Sequence, residues 1–285
     1  MAEARSLLLI GHGSRSEAGV AECLDLVGAV AGLTPGLDVG HGFIEFAEPG
    51  LDTALDRLAG TGVAEVVAVP LVLLGAGHLK DDGPAALARA RARHPRTGFH
   101  YARDLGIHPL VLSVAEERAR AAIADLGARP SETAVVLVGR GSTDPDANGD
   151  LCKVARLLWD GRGFGAVEPA FVSLAEPAVP AALDRSRRLG FERVAVVPYF
   201  LFTGVLVDRI GAQVAAWAGR HPDVQAAVGP HLGPDPRLAR LVLERFEEAA
   251  YGDVRMNCDC CIYRLPLPGY EHRVSAPIPT SVSRR

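Results

Sequence analysis

Along most of this chain, short apolar runs alternate with longer amphipathic segments. Runs such as Leu7-Leu8-Leu9-Ile10 and Val135-Val136-Leu137-Val138 are continuous rather than alternating, as in strands covered on both faces of a parallel sheet. The pattern predicts strands near residues 6–10, 38–46, 64–73 and 97–102, with helices near 18–32, 50–60, 79–94 and 108–126. It then begins again, with strands near 134–138, 166–172, 192–201 and 224–228 and helices near 147–160, 177–189, 206–219 and 235–250. Strands separated by helices in this way form βαβ units with right-handed crossovers.

The second set of elements repeats the first in its residues as well as its rhythm. Leu9-Ile10-Gly11-His12-Gly13-Ser14 matches Leu137-Val138-Gly139-Arg140-Gly141-Ser142, and Phe43-Ile44-Glu45-Phe46-Ala47-Glu48-Pro49 matches Phe171-Val172-Ser173-Leu174-Ala175-Glu176-Pro177, both 128 residues apart. His94-Pro95 and Leu105-Gly106 match His221-Pro222 and Leu232-Gly233 at 127. That period is far too long for a solenoid. The expected fold is α/β, with two tandem homologous domains, each a small doubly wound parallel sheet flanked by helices. Residues 1–128 and 129–252 form the domains, and 253–285 a tail rich in cysteine and then in proline and serine. Ligands of open α/β sheets bind beyond the carboxyl ends of the strands, so the active site is expected in the inter-domain cleft.

The repeat also acts as an internal control. Glu48 and Glu176, each before a proline, occur in both halves and suit an architectural role near a helix amino end. His12, Glu45 and His78 face Arg140, Ser173 and Leu206, so one half alone keeps two imidazoles and a carboxylate. His12 and His78 follow strand ends and Glu45 lies near the end of its own strand, which points to one functional site. Neutral imidazoles bind first-row divalent ions, and a nearby carboxylate can complete the shell or take a proton. His94 and His221 look like shared caps, and His41, His100 and His231 have no partner legible in the sequence.

Composition narrows the options further. The 285 residues carry a net charge of −4 and are 48% hydrophobic, which suits a soluble globular protein. No basic run suggests nucleic acid, and no apolar stretch approaches the roughly 18 residues of a membrane span. The start runs directly into a strand without the layout of a signal peptide, so cytoplasm is the expected compartment. There is no phosphate-binding Gly-x-x-x-x-Gly-Lys loop, no complete dinucleotide fingerprint and no Gly-x-Ser-x-Gly elbow around Ser14.

Leu8 to Arg15, Phe43 to Pro49 and Val69 to His78, in this order and on a tandem repeat, resemble the CbiX/SirB family of sirohydrochlorin chelatases, which work without ATP. The resemblance covers nearly the whole chain. It implies insertion of Co²⁺ (cobalamin biosynthesis) or Fe²⁺ (sirohaem biosynthesis) into sirohydrochlorin, with His12 and His78 as metal ligands and Glu45 as the acidic partner. The divalent ion is then a substrate, and the long form with a cysteine tail favours cobalt. Such a substrate carries a rim of carboxylates, for which Arg15, Lys80, Arg140 and Arg209 are candidates by position. The expected partner is a small-molecule tetrapyrrole, with no nucleic acid and no membrane; a homodimer is left open. In the tail, Cys258, Cys260 and Cys261 resemble the motif that long CbiX-type chelatases link to an iron–sulfur cluster. Two thiolates cannot hold a four-iron cluster, so Cys260 and a partner chain or Cys23 and Cys152 would have to contribute. A redox pair, a zinc site and idle thiols stay open. Two rival functions are a carrier of metal or tetrapyrrole, which has no need of Glu45, and a redox protein run by the tail.

Overall fold

A computed structural model describes residues 4–252, apart from the side chain of His78. Cys258, Cys260 and Cys261 lie outside the described residues. Strands β1 (Arg5–Gly11), β2 (Asp38–Phe43), β3 (Glu65–Pro70) and β4 (Gly98–Tyr101) form one parallel sheet in the order β2-β1-β3-β4. Strands β5 (Ala134–Gly139), β6 (Ala166–Phe171), β7 (Arg193–Pro198) and β8 (Gln225–Val228) form a second in the order β6-β5-β7-β8. The register repeats too. Gly11 pairs with Phe43 and Ile10 with Pro70, as Gly139 pairs with Phe171 and Val138 with Pro198. Equivalent loops therefore leave each sheet at the same rim.

Helices α1 (Glu17–Leu33), α2 (Leu51–Gly60), α3 (Gly77–Lys80), α4 (Asp82–Arg93) and α5 (Pro109–Asp125) belong to the first repeat. Helices α6 (Pro145–Trp159), α7 (Val179–Arg188), α8 (Val205–Ala218) and α9 (Pro236–Tyr251) belong to the second. Local chemistry sets their starts. Ser16 accepts from the Gly19 amide, and Asp144 and Asp235 cap helices that open on Pro145 and Pro236. Glu48 and Glu176 bond the amides of Gly50 and Ala178 at the entries to α2 and α7, so the shared carboxylates do serve the architecture. His94 ends α4 and meets Asp56 at 2.7 Å, while His221 stacks on Trp217.

Four expected elements differ. β2 stops at Phe43, β3 at Pro70 and β7 at Pro198, where bends follow in place of extended chain. The helix expected near 79–94 is broken at Asp81, whose φ of −114° separates the one-turn α3 from α4; its mate α8 is continuous.

Packing does not follow the repeat boundary. α5, the last helix of the first repeat, packs on β7, β8 and α6 of the second sheet. α9, the last helix of the second, packs on α1, β3 and β4 of the first. The two lobes thus exchange their final helices. Arg245 on α9, fully buried, donates to the carbonyls of Asp104 and Leu105 at 2.9 and 2.8 Å. Arg118, its repeat mate on α5, donates to those of His231 and Leu232 at 3.0 and 3.2 Å. One apolar core consequently runs through both lobes, joining Leu7, Leu9, Val67 and Val69 of the first sheet to Val135, Leu137, Ala195 and Val197 of the second. The outer sheet faces have separate cores under α2 and α4, and under α7 and α8. Among the described residues no helix is long and apolar enough to cross a membrane.

Candidate active site

Between the lobes, at the carboxyl ends of both sheets, lies a cleft of about 970 Å³ lined by residues of both repeats. Its walls begin where β1 and β5 end. Gly13 and Gly141, at φ 91° and 85°, turn the chain there. A Cβ on them would come within 1.6 and 1.8 Å of the Glu45 and Ser173 carbonyl oxygens, so only glycine lets the neighbouring loop lie this close. That loop is fixed by the Ile44 and Glu45 amides, which donate to the Gly11 and His12 carbonyls at 3.0 Å each.

This arrangement brings His12 and Glu45 together. His12 Nε2 lies 3.3 Å from Glu45 Oε1, with both side chains about one-third exposed. The other ring nitrogen, Nδ1, is 3.2 Å from the Gly13 carbonyl. With Nδ1 protonated toward that carbonyl, Nε2 presents its lone pair on the side of Glu45, where it can take a metal ion or a proton. The equivalent pair in the other lobe, Arg140 and Ser173, has no such chemistry, and Arg140 stands exposed on the cleft wall. His78 falls in α3, just beyond the end of β3, on the same rim; its side chain lies outside the described residues.

Of the four cations assigned to substrate carboxylates, two line the cleft: Arg15 from one lobe and Arg140 from the other. Lys80 does not join them. Its ammonium bonds Asp144 at 2.6 Å and Asp146 at 3.1 Å, bridging α3 to the amino end of α6 across the lobes. Arg209 is exposed on α8, outside the cleft lining. The thiols proposed to supplement the tail also have other places. Cys23 is buried in the first lobe, where burial pushes its thiol up to about 12, while Cys152 is exposed on α6. A thiol held protonated is a poor metal ligand.

Several residues at the site were not legible in the sequence. Asp104 Oδ2 accepts from the Gly75 amide at 2.7 Å, fixing the base of the loop that leads to His78. Burial raises its carboxyl above the ordinary range, although the Gly75 bond and the nearby Arg103 and Arg245 work against that shift. In the other lobe, Thr203 holds the position of Gly75, and its amide donates to Glu22 at 2.6 Å from across the junction. Glu22 also meets His231 at 3.0 Å. Both loops are therefore tethered by an acid at the same backbone nitrogen, and His231 acquires the partner its sequence context lacked. Phe46 and Leu174 stand exposed in the cleft at φ 63° and 62°. Tyr199, 4% exposed, lines the cleft where the first repeat has Leu71.

Comparison with known proteins places this geometry in a family. The CbiX family model matches residues 6–122 and again 134–249. The chain is 35% identical over 264 residues to the sirohydrochlorin cobaltochelatase of Priestia megaterium, covering 92% of this chain and 86% of that one. It is 29% identical over 248 residues to the sirohydrochlorin ferrochelatase of Bacillus subtilis (strain 168), covering 86% and 92%. Among solved structures, SirB from Bacillus subtilis with Fe³⁺ superposes at a TM-score of 0.76 with 28% identity, covering 87% of this chain and 97% of that one. A doubled sheet with the first-strand Gly-His-Gly turn kept in one copy, matched by the family model once per repeat, makes this chain a two-repeat member of the CbiX family.

Proposed function

We propose that the protein is a sirohydrochlorin chelatase that inserts a divalent metal, Co²⁺ in preference to Fe²⁺, without ATP, in the cleft between its lobes. The observation that carries this reading is the His12–Glu45 pair, 3.3 Å apart at the cleft rim and present in one repeat only. Cobalt is favoured because the relative matched at 35% identity is a cobaltochelatase, whereas the ferrochelatase stands at 29%.

Metallation requires three things of the protein: to replace water around the ion, to hold the macrocycle against it, and to remove two pyrrole protons. His12 Nε2 and His78 hold the ion with part of its shell open. Glu45, partly exposed at the cleft rim, accepts the two pyrrole protons in turn and passes each to solvent, which leaves the His12 Nε2 lone pair for the ion. Arg15 and Arg140 bind carboxylates at the macrocycle edge from opposite lobes. The half that lost its imidazoles thereby acts as the substrate holder.

Anaerobic mixing of the protein with sirohydrochlorin and Co²⁺, Fe²⁺ or Ni²⁺, followed by absorbance, tests the reaction and orders the metals. Glu45→Gln should lower turnover by about 10²–10⁴-fold, the usual worth of a positioned general base. Metal and sirohydrochlorin binding without insertion by the parent, unchanged in that variant, would favour a carrier over an enzyme.

A further inference from the structure

We infer that Phe46 and Leu174 are matched apolar rests for the macrocycle, and that Phe46 also sets the ring's distance from His12. The inference deepens the proposed chelatase reading and rests on it. Both residues are large, apolar and exposed, at 52% and 62%, and both line the cleft. They occupy equivalent positions in the two repeats. Each is the centre of a three-residue turn: the Ala47 amide bonds the Glu45 carbonyl at 2.9 Å, and the Ala175 amide bonds that of Ser173 at 2.7 Å. An i to i+2 bond with a central φ near +60° is the rarer, strained form of this turn, and bulky non-glycine residues avoid it.

Folding gains nothing evident from placing these side chains here, because neither enters a core cluster. An unfavourable backbone and an exposed apolar side chain, both present in both copies, mark a contact made only when the cleft is filled. A flat, largely apolar tetrapyrrole provides that contact. The surroundings of the two rests differ. The Phe46 ring lies 6.4 Å from the His12 ring and carries the Arg15 guanidinium at 4.8 Å, whereas Leu174 follows Ser173 in the half without imidazoles. Phe46 therefore governs placement over the metal as well as affinity, and Leu174 governs affinity.

The test uses the full chain and metal-free sirohydrochlorin, whose fluorescence reports binding, together with steady-state metal insertion. Leu174→Ala should raise Kd and KM about 10-fold, as expected for losing a buried apolar side chain, with kcat within about twofold. Phe46→Ala should raise Kd similarly and also lower kcat. Phe46→Gly and Leu174→Gly should bind as weakly as the alanine variants but melt at higher temperature than they do, because glycine relieves the left-handed backbone. Binding by both alanine variants within twofold of the parent would overturn the inference. A parent protein that neither binds nor metallates the macrocycle would overturn the chelatase reading itself.

Discussion

The repeat makes single residues interpretable. His12, placed by a glycine turn beside Glu45, is expected to be indispensable: His12→Ala should reduce metal insertion to the uncatalysed rate while leaving the circular dichroism spectrum unchanged. Cys23 and Cys152 give a second check. Burial raises the folded pKa of Cys23 to about 12, above its ordinary value near 9, so its thiol stays protonated through the alkaline range where an unfolded one would ionise. Alkylation of the native protein at pH 8, read by peptide mapping, should label Cys152 and spare Cys23. In stability terms the Cys23 contribution is complete below about pH 9 and is lost as pH rises toward 12. The histidine and glutamate were legible in the sequence because their mates differ in chemistry. Phe46 and Leu174 were not, since both are apolar and only the folded backbone shows their unusual φ. Lys80 was misjudged for another reason: a long, flexible side chain can reach several partners, and Asp144 and Asp146 come within range only once the lobes are assembled.

The elements were legible because continuous apolar runs and amphipathic stretches separate cleanly in a parallel α/β fold. What each helix packs against was not. α5 and α9 carry equivalent sequences, and their periodicity is the same whichever sheet they cover. The residues that tie them down are the arginines. Arg245→Met should destabilise the fold by about 3–5 kcal/mol, because it leaves the buried Glu248 carboxylate, 2.9 Å from the guanidinium, without that partner. Arg118→Met, at a site 19% exposed, should cost about 1–3 kcal/mol. Urea denaturation of both variants checks the order. The loop tether supplies a third comparison. Asp104→Asn keeps an acceptor for the Gly75 amide and removes a charge that burial disfavours. Its raised pKa means that ionisation at neutral pH costs folding free energy, a cost that fades as the group protonates in acid. The asparagine variant should therefore melt no lower than the parent at pH 7, with its advantage shrinking toward pH 4, whereas Asp104→Ala should melt lower at both.

At the scale of the whole molecule, the shared core and exchanged helices make each repeat incomplete without the other. Residues 1–128 alone would leave Leu7, Leu9, Val67 and Val69 without α9. Two such fragments can supply each other with α5, so the fragment should run as a dimer in size-exclusion chromatography with light scattering. Co-expressed 1–128 and 129–285 should assemble as one of each. The exchange also limits how far the lobes can part. The chain passes between lobes twice, at 102–108 and at 229–235, and each passage is gripped by an arginine of the opposite arm. Separating the jaws would break these bonds, pull Glu22 from the Thr203 amide and wet the core the two sheets share. The macrocycle therefore meets a slot whose width is preset by folding.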